Sequence, residues 1–269
     1  MNRPRAAPGA VTVSAMSAVT QRVAVLSDIH GVLPALEAVL AEPAVRSADR
    51  IVLTGDMAAG PQPVETLDLL DSLGDRALWI RGNADRELVE GAPAGIPVSA
   101  WAAEQLRPDQ TERLAGLPLT AELDIDGLGR VLFCHGTPRD DAEVILTDSS
   151  AGRWAEVLAG VDTGVEVVVC GNTHMPFARL VHGRLVVNPG SVGMPYGRRG
   201  AHWALLGPGV ELRRTPYDYA AACARIAAES AFPDAAAWAD EYVHARNSAE
   251  DAVAVFGPLE GRPAPGPPT

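Results

Sequence analysis

Val23-Ala24-Val25-Leu26-Ser27-Asp28-Ile29-His30-Gly31-Val32-Leu33-Pro34 decides the fold. Residues 23–26 are wholly apolar, which suits a short strand buried on both faces. The strand stops at Ser27, and Asp28, His30 and Gly31 occupy the turn beyond it. A helix is predicted from Pro34, because Leu36, Val39 and Leu40 fall on one face and proline is favoured in a first helical turn.

The unit recurs downstream. Ile51 to Thr54 reads as a strand ending in Gly55-Asp56, with a helix from Val64 to Leu73. Ala77 to Ile80 ends in Gly82-Asn83-Ala84-Asp85, again before a helix. Strand, loop and helix in alternation predict parallel strands joined by right-handed crossovers. Residues 99–116 look helical with a break near Pro108. Strands over 119–125 and 130–134 flank Asp126-Gly127, a hairpin signal, and the second ends at His135-Gly136. After a helix over 151–158, the strand Val165 to Cys170 ends at Gly171-Asn172-Thr173-His174.

Two short strand pairs follow, 177–181 with 184–187 and 202–206 with 210–214. The Ala-rich stretch 217–255 reads as helical with a break at Phe232-Pro233. Packing of these helices on the sheet is the default expectation, with a lid or a dimer surface as alternatives. Residues 1–21 read as a disordered extension, 22–256 as a single domain including the C-terminal helices, and 257–269 as a disordered Pro/Gly-rich tail.

The formal net charge is -12, so a basic face for a nucleic-acid duplex is not expected. A phosphate substrate would need local positive charge, which bound metal ions supply. Every basic residue except histidine is arginine, which excludes a Schiff-base lysine and the lysine of a P-loop. Three cysteines, Cys134, Cys170 and Cys223, fit neither a disulfide framework nor a zinc ribbon, and point to a reducing, cytoplasmic compartment. No apolar run approaches the ~20 residues of a membrane span.

Five predicted strands end in a possible metal ligand beside a glycine: Asp28 with His30, Asp56, Asn83, His135, and Asn172 with His174. Functional groups of open α/β sheets gather beyond the carboxyl ends of strands. Carboxylate, imidazole and amide oxygen suit manganese, iron or zinc better than calcium. Two ions ~3.5–4 Å apart need a bridging carboxylate, and Asp56, from a central strand, is the natural one. Cys134 and Cys170 read as buried small hydrophobes. Arg86, Arg139, Arg198 and Arg199 are the pool for phosphate contact, Arg198 and Arg199 first. His182, His202 and His244 have no partner at ligand spacing and read as structural or exposed.

The order Asp28-x-His30, Gly55-Asp56, Gly82-Asn83-x-Asp85, His135-Gly136 and Gly171-x-Thr173-His174 resembles the calcineurin-like metallophosphoesterases. Asn188-Pro189-Gly190-Ser191-Val192-Gly193 resembles a loop of their small bacterial and archaeal phosphodiesterase-like branch. The resemblance runs from residue 22 to about 215 and implies a four-layer α/β/β/α sandwich of two mixed sheets with a di-metal site at the rim. It implies two divalent ions, manganese favoured over iron, zinc or nickel. Asp28, His30 and His174 would hold the first, Asn83 and His135 the second, and Asp56 both. A hydroxide between them would attack phosphorus in line. Asp56, Asn83 and His135 are the implied catalytic residues, and Asn83, Arg198 and Arg199 the implied substrate contacts.

Two departures stand out. Ala84 occupies a position where the family often has a histidine near the leaving oxygen, which favours good leaving groups or anhydrides. Asn172 replaces a usual histidine ligand, so a labile second ion is expected. The implied activity is hydrolysis of a small or exposed phosphate ester. A hydrolase of dinucleoside polyphosphates or other anhydrides, a phosphoprotein phosphatase and a non-catalytic scaffold are the alternatives, with a homodimer as an open possibility.

Overall fold

Along β1 (Val23–Leu26) successive side chains serve two different cores. Val23 and Val25 face a second sheet, while Ala24 and Leu26 face helices, as the two-residue period of a strand dictates. The computed structural model describes residues 19–92, 95–244 and 247–262.

β1 pairs in parallel with β2 (Arg50–Leu53), and β2 with β3 (Ala77–Trp79). On its other side β1 pairs antiparallel with β9 (Ala201–Leu206), which β10 (Val210–Thr215) flanks, giving the order β10-β9-β1-β2-β3. The second sheet comprises β4 (Ala121–Ile125), β5 (Gly129–Phe133), β6 (Val165–Val169), β7 (Phe177–Val181) and β8 (Arg184–Asn188), in the order β4-β5-β6-β8-β7. Its central three strands are parallel and both edges antiparallel. Both sheets are therefore mixed, as expected.

Val25, Val52, Ile80, Phe133, Val169 and Leu206 fill the space between the sheets. The outer face of the first sheet packs on α1 (Leu33–Leu40), α3 (Pro63–Asp71), α8 (Tyr219–Glu229) and α9 (Ala235–Tyr242), through residues such as Leu36, Leu67, Ile226 and Trp238. The outer face of the second packs on α7 (Ala151–Val157), with Trp154 fully buried against Leu132, Cys134 and Val186. The architecture is the four-layer α/β/β/α sandwich.

Shorter helices complete the chain: α2 (Pro43–Arg46), α4 (Asn83–Glu90), α5 (Pro97–Gln105) and α6 (Pro108–Ala115). The helical region after residue 217 breaks a second time, beyond Tyr242, before α10 (Ala249–Leu259). α8 and α9 pack as expected on the first sheet, but α10 does not: its Ala252 and Val253 pack on Val144, Leu146 and Met175.

The predicted tail boundary at Gly257 needs correction. α10 runs through Pro258 to Leu259, and Arg262 forms two hydrogen bonds to Asp148 at 2.8 and 2.9 Å. Gly257 and Pro258 signal a helix end locally, but the packing of Ala252 and the ion pair hold the last turn. At the other end Thr20 joins the domain, donating to Asp124 O and accepting from Asp126 N. Residues 1–18 and 263–269 lie outside the described residues.

Candidate metal centre

The carboxyl ends of the parallel strands in both sheets converge on one rim. Asp28 and His30 leave β1, Asp56 leaves β2, and Asn83 is the first residue of α4 after β3. From the second sheet come His135 after β5, and Asn172 and His174 after β6. Asp28, His30, Asp56 and His174 bring four ligand atoms within 4.8 Å of one another. His174 Nε2 lies 3.3 Å from Asp28 Oδ1, and His30 Nε2 lies 3.6 Å from Asp56 Oδ2. On the far side His135 Nε2 is 3.3 Å from the same Asp56 oxygen and 3.2 Å from Asn83 Oδ1. Asp56 Oδ2 thus stands between two groups of donors.

The donor set fits divalent ions. His30, His135 and His174 each direct Nδ1 at a backbone carbonyl, of Ala59, Thr54 and Met194, at 3.2, 2.6 and 2.8 Å. Nδ1 must then carry the proton, which leaves every Nε2 lone pair facing the centre. Among the described residues neither carboxylate oxygen of buried Asp28 accepts a backbone or hydroxyl hydrogen bond, and His174 Nε2 faces Oδ1 at 3.3 Å. Asp56 Oδ1 accepts from Ala84 N at 2.8 Å, so Oδ2 is the oxygen left for ions. Ala84, where the resemblance leads one to look for histidine, thus serves the site through its backbone.

The charges tell the same story. Burial pushes Asp28 up, yet the neighbouring imidazoles of His174 and His135 together overcome this and hold it below the ordinary carboxylate value. Burial likewise raises Asp56, and His135, with His30 and the Ala84 N–H, brings it below the ordinary value. Burial opposes charge on His135, but Asp56 prevails and raises it to about 10. Without a cation, protons on imidazoles balance the two carboxylates. A bound divalent ion takes over that role.

Backbone geometry marks the same residues. Asp28, His30, Asp56, Asn172 and His174 all have left-handed φ, between 50 and 64°. For side-chain-bearing residues this costs of order 1–3 kcal/mol each, and such strain gathers at functional sites. Among the described non-glycine residues only His182, in a hairpin turn, shares the conformation without belonging to the cluster. Close approach also demands glycine, because a Cβ on Gly82 would collide with Asp56 Oδ1 and one on Gly171 with Ser27 Oγ.

Two elements hold the cluster in place. Buried Asp85 accepts hydrogen bonds from the backbone N–H of Asp56, Met57 and Gly82 at 2.7, 2.9 and 2.9 Å. Burial, with the Asp56 charge beside it, raises its carboxyl to about 7. The Asn188–Gly193 loop clamps the rim: Asn188 Nδ2 donates to Gly171 O at 2.7 Å, and Ser191 Oγ donates to Asp28 O at 2.7 Å.

The remaining candidates divide. Asn172 is buried at the rim, its amide nitrogen 3.5 Å from Ala142 O. Arg198 and Arg199 are exposed, and the Arg199 guanidinium lies over Tyr219, 6.0 Å from the ring centre, rather than at the cluster. Arg139 is engaged by Glu143 and Glu156. Arg86 forks onto Asp141 near Asn83, and Arg81, absent from the sequence candidates, shares that carboxylate at 2.8 Å. Asn83 Nδ2 donates to Glu87 at 3.4 Å and Arg86 also lies 3.7 Å from Glu90, so carboxylates balance the two guanidiniums on this side; the available signal for Arg81 was its place directly before Gly82-Asn83. Cys134 and Cys170 are buried in the layer behind the ligands, as expected, and His182, His202 and His244 bond to Ala151 O, Arg198 O and Asp240.

A phosphodiesterase of Escherichia coli (strain K12), YfcE, is 25% identical over 189 residues, covering 67% of this chain and 84% of that protein. A symmetrical bis(5'-nucleosyl)-tetraphosphatase of Klebsiella pneumoniae (strain 342) is 32% identical over 145 residues, 51% of this chain and 50% of that one. The crystal structure of a metallophosphoesterase from Sphaerobacter thermophilus, 26% identical, aligns with a TM-score of 0.63 over 82% of this chain and 99% of that one. The model of the calcineurin-like phosphoesterase superfamily domain matches residues 22–207, well over half of the sequence, and the chain belongs to that superfamily.

Proposed function

We propose that this chain hydrolyses small phosphate esters with good leaving groups, aryl or nucleoside phosphodiesters before alkyl monoesters, using two divalent ions with manganese preferred. One observation carries the reading: Asp56 Oδ2 faces His30 Nε2 at 3.6 Å and His135 Nε2 at 3.3 Å, a carboxylate oxygen shared by two donor groups. Asp28, His30 and His174 would hold one ion, Asn83 and His135 the other, and Asp56 both, with Asn172 a weak neutral donor at the second. Divalent ions held there supply Lewis acidity and activation of the attacking water.

The chain's own residues do the rest. Three Nδ1–carbonyl bonds fix the tautomers, and Asp85 fixes the Asp56 backbone. Arg81 and Arg86, both paired with Asp141, brace the Asn83 side of the rim. Ala84 carries no acid, so the leaving oxygen departs without a proton from that position, which suits aryl and anhydride leaving groups.

Similarity to a bis(5'-nucleosyl)-tetraphosphatase over half of this chain keeps a dinucleoside polyphosphate substrate as the second reading. Buried thiols at Cys134 and Cys170 suit the reducing cytoplasm.

The test is hydrolysis of bis-p-nitrophenyl phosphate by metal-stripped protein with manganese restored, beside Asp56→Asn. Manganese-dependent turnover that the substitution abolishes supports the reading. A folded protein inert with every divalent metal replaces it with a scaffold role.

A further inference from the structure

Phe256 comes from α10, beyond the residues 22–207 that the family model covers, yet its ring centre lies 6.3 Å from that of His174. The ring of Tyr196 also lies 6.3 Å from His174, and the two aromatic rings meet edge to face, 6.1 Å apart at 78°. Both side chains are half-buried, so each keeps part of its surface open beside a predicted metal ligand.

We propose that Tyr196 and Phe256 form an aromatic wall that receives the ring-bearing half of the substrate, making the chain selective for phosphate esters of a nucleoside or an aryl alcohol. The proposal rests on the phosphoesterase reading for where the phosphate sits. His174 turns Nε2 to Asp28 and His30 and Nδ1 to Met194 O, so its ring spans the distance between the cluster and the wall. A phosphoryl group held at the cluster places its ester substituent within reach of these rings.

The wall is anchored. Gly197 N donates to Asn247 O at 2.9 Å, and Ser248 caps α10 by accepting from Asp251 N. At the far end Arg262 pairs with Asp148, and Glu260 accepts from Ser149 Oγ. Between these points Ala252 and Val253 pack on Val144, Leu146 and Met175. Rings held in this way lose little freedom on binding a flat partner, and a base gains affinity by stacking on an aromatic side chain. An alkyl ester offers no face to stack.

The experiment compares adenosine 5′-monophosphate with ribose 5-phosphate, which share the phosphorylated ribose and differ at C1′, base against hydroxyl, by calorimetric titration of the manganese-loaded full chain. The nucleotide should bind about tenfold more tightly, within the range stacking supplies. Phe256→Leu and, separately, Tyr196→Leu should each shrink that ratio toward one. Equal affinities in the wild type, no binding of either ligand, or a ratio that survives both substitutions overturns the proposal. Failure of the catalytic reading shows separately, as no turnover of bis-p-nitrophenyl phosphate beside an intact nucleotide preference.

Discussion

His30 and His174, 144 positions apart in the chain, bring their Nε2 atoms to 3.1 Å of each other. Both lie on left-handed backbone, and both spend Nδ1 on a carbonyl of their own side of the rim. Nothing in hydrophobic packing requires such an arrangement. A cation that takes both nitrogens together with Asp28 and Asp56 accounts for it.

Manganese should therefore raise the melting temperature. A ligand that binds only the folded state contributes about 2.7 kcal/mol at a hundredfold excess over its Kd. At roughly 2–4 °C per kcal/mol for a chain of this size, chelated and loaded protein should differ by about 5–10 °C. His30→Ala should remove most of the difference. Scanning calorimetry that gives the same midpoint with chelator and with manganese counts against a metal centre at this rim.

Asp85→Asn tests whether Asp85 acts through Asp56. The amide keeps the shape but puts a donor where a backbone N–H must be accepted, so one of the three hydrogen bonds is lost. Turnover of bis-p-nitrophenyl phosphate should fall by about 10–100-fold, as for supports of metal ligands elsewhere. Manganese affinity should fall with it while KM changes little. An unchanged metal titration with a raised KM assigns Asp85 to substrate binding instead.

Asn172→His tests the second ion. Imidazole is a better donor than a neutral amide to a borderline metal. In the wild type, titration should show one tight and one weaker manganese site, and the substitution should tighten the weaker. Two sites of equal affinity before substitution rule this out.

The acid limb of stability should carry the signature of Glu143. Hydrogen bonding from Arg139, helped by Thr137 and the charge of Arg153, lowers its carboxyl to about 2. A depressed carboxyl contributes stability above its unfolded value, and the contribution is lost as pH falls through the folded one. The difference in unfolding free energy between wild type and Glu143→Gln should hold steady above about pH 5 and close toward pH 2. Urea melts in which the gap widens on acidification contradict the assignment.

Most of the cluster was legible because ligands at strand ends obey a local rule: an apolar run, then Asp, Asn or His beside glycine. Asp28, His30, Asp56, Asn83, His135 and His174 follow it, and all six meet at the rim. What no local rule carries is tertiary. Arginine chemistry puts Arg198 and Arg199 first for phosphate contact, whereas the structure lays Arg199 over Tyr219. α10 was cut short because Gly257-Pro258 ends helices in isolation, and its contacts to residues 144–175 are invisible in a window of sequence. The role of Asp85 was equally hidden, since its hydrogen bonds reach back 28 and 29 positions.

The order in which the strands are threaded carries a consequence for how the protein matures. β9, which lies against β1, is made after the whole second sheet. A growing chain on the ribosome emerges N-terminal end first, so Asp28, His30 and Asp56 appear long before His174 and before the Asn188–Gly193 loop that braces them. Until then the first sheet lacks its inner antiparallel neighbour and the acidic residues have no complete cage. Completion of the cluster is therefore a late event in biogenesis: a chain released before His174 lacks one of its members, and one released between His174 and Gly193 carries them all without the finished loop that braces them.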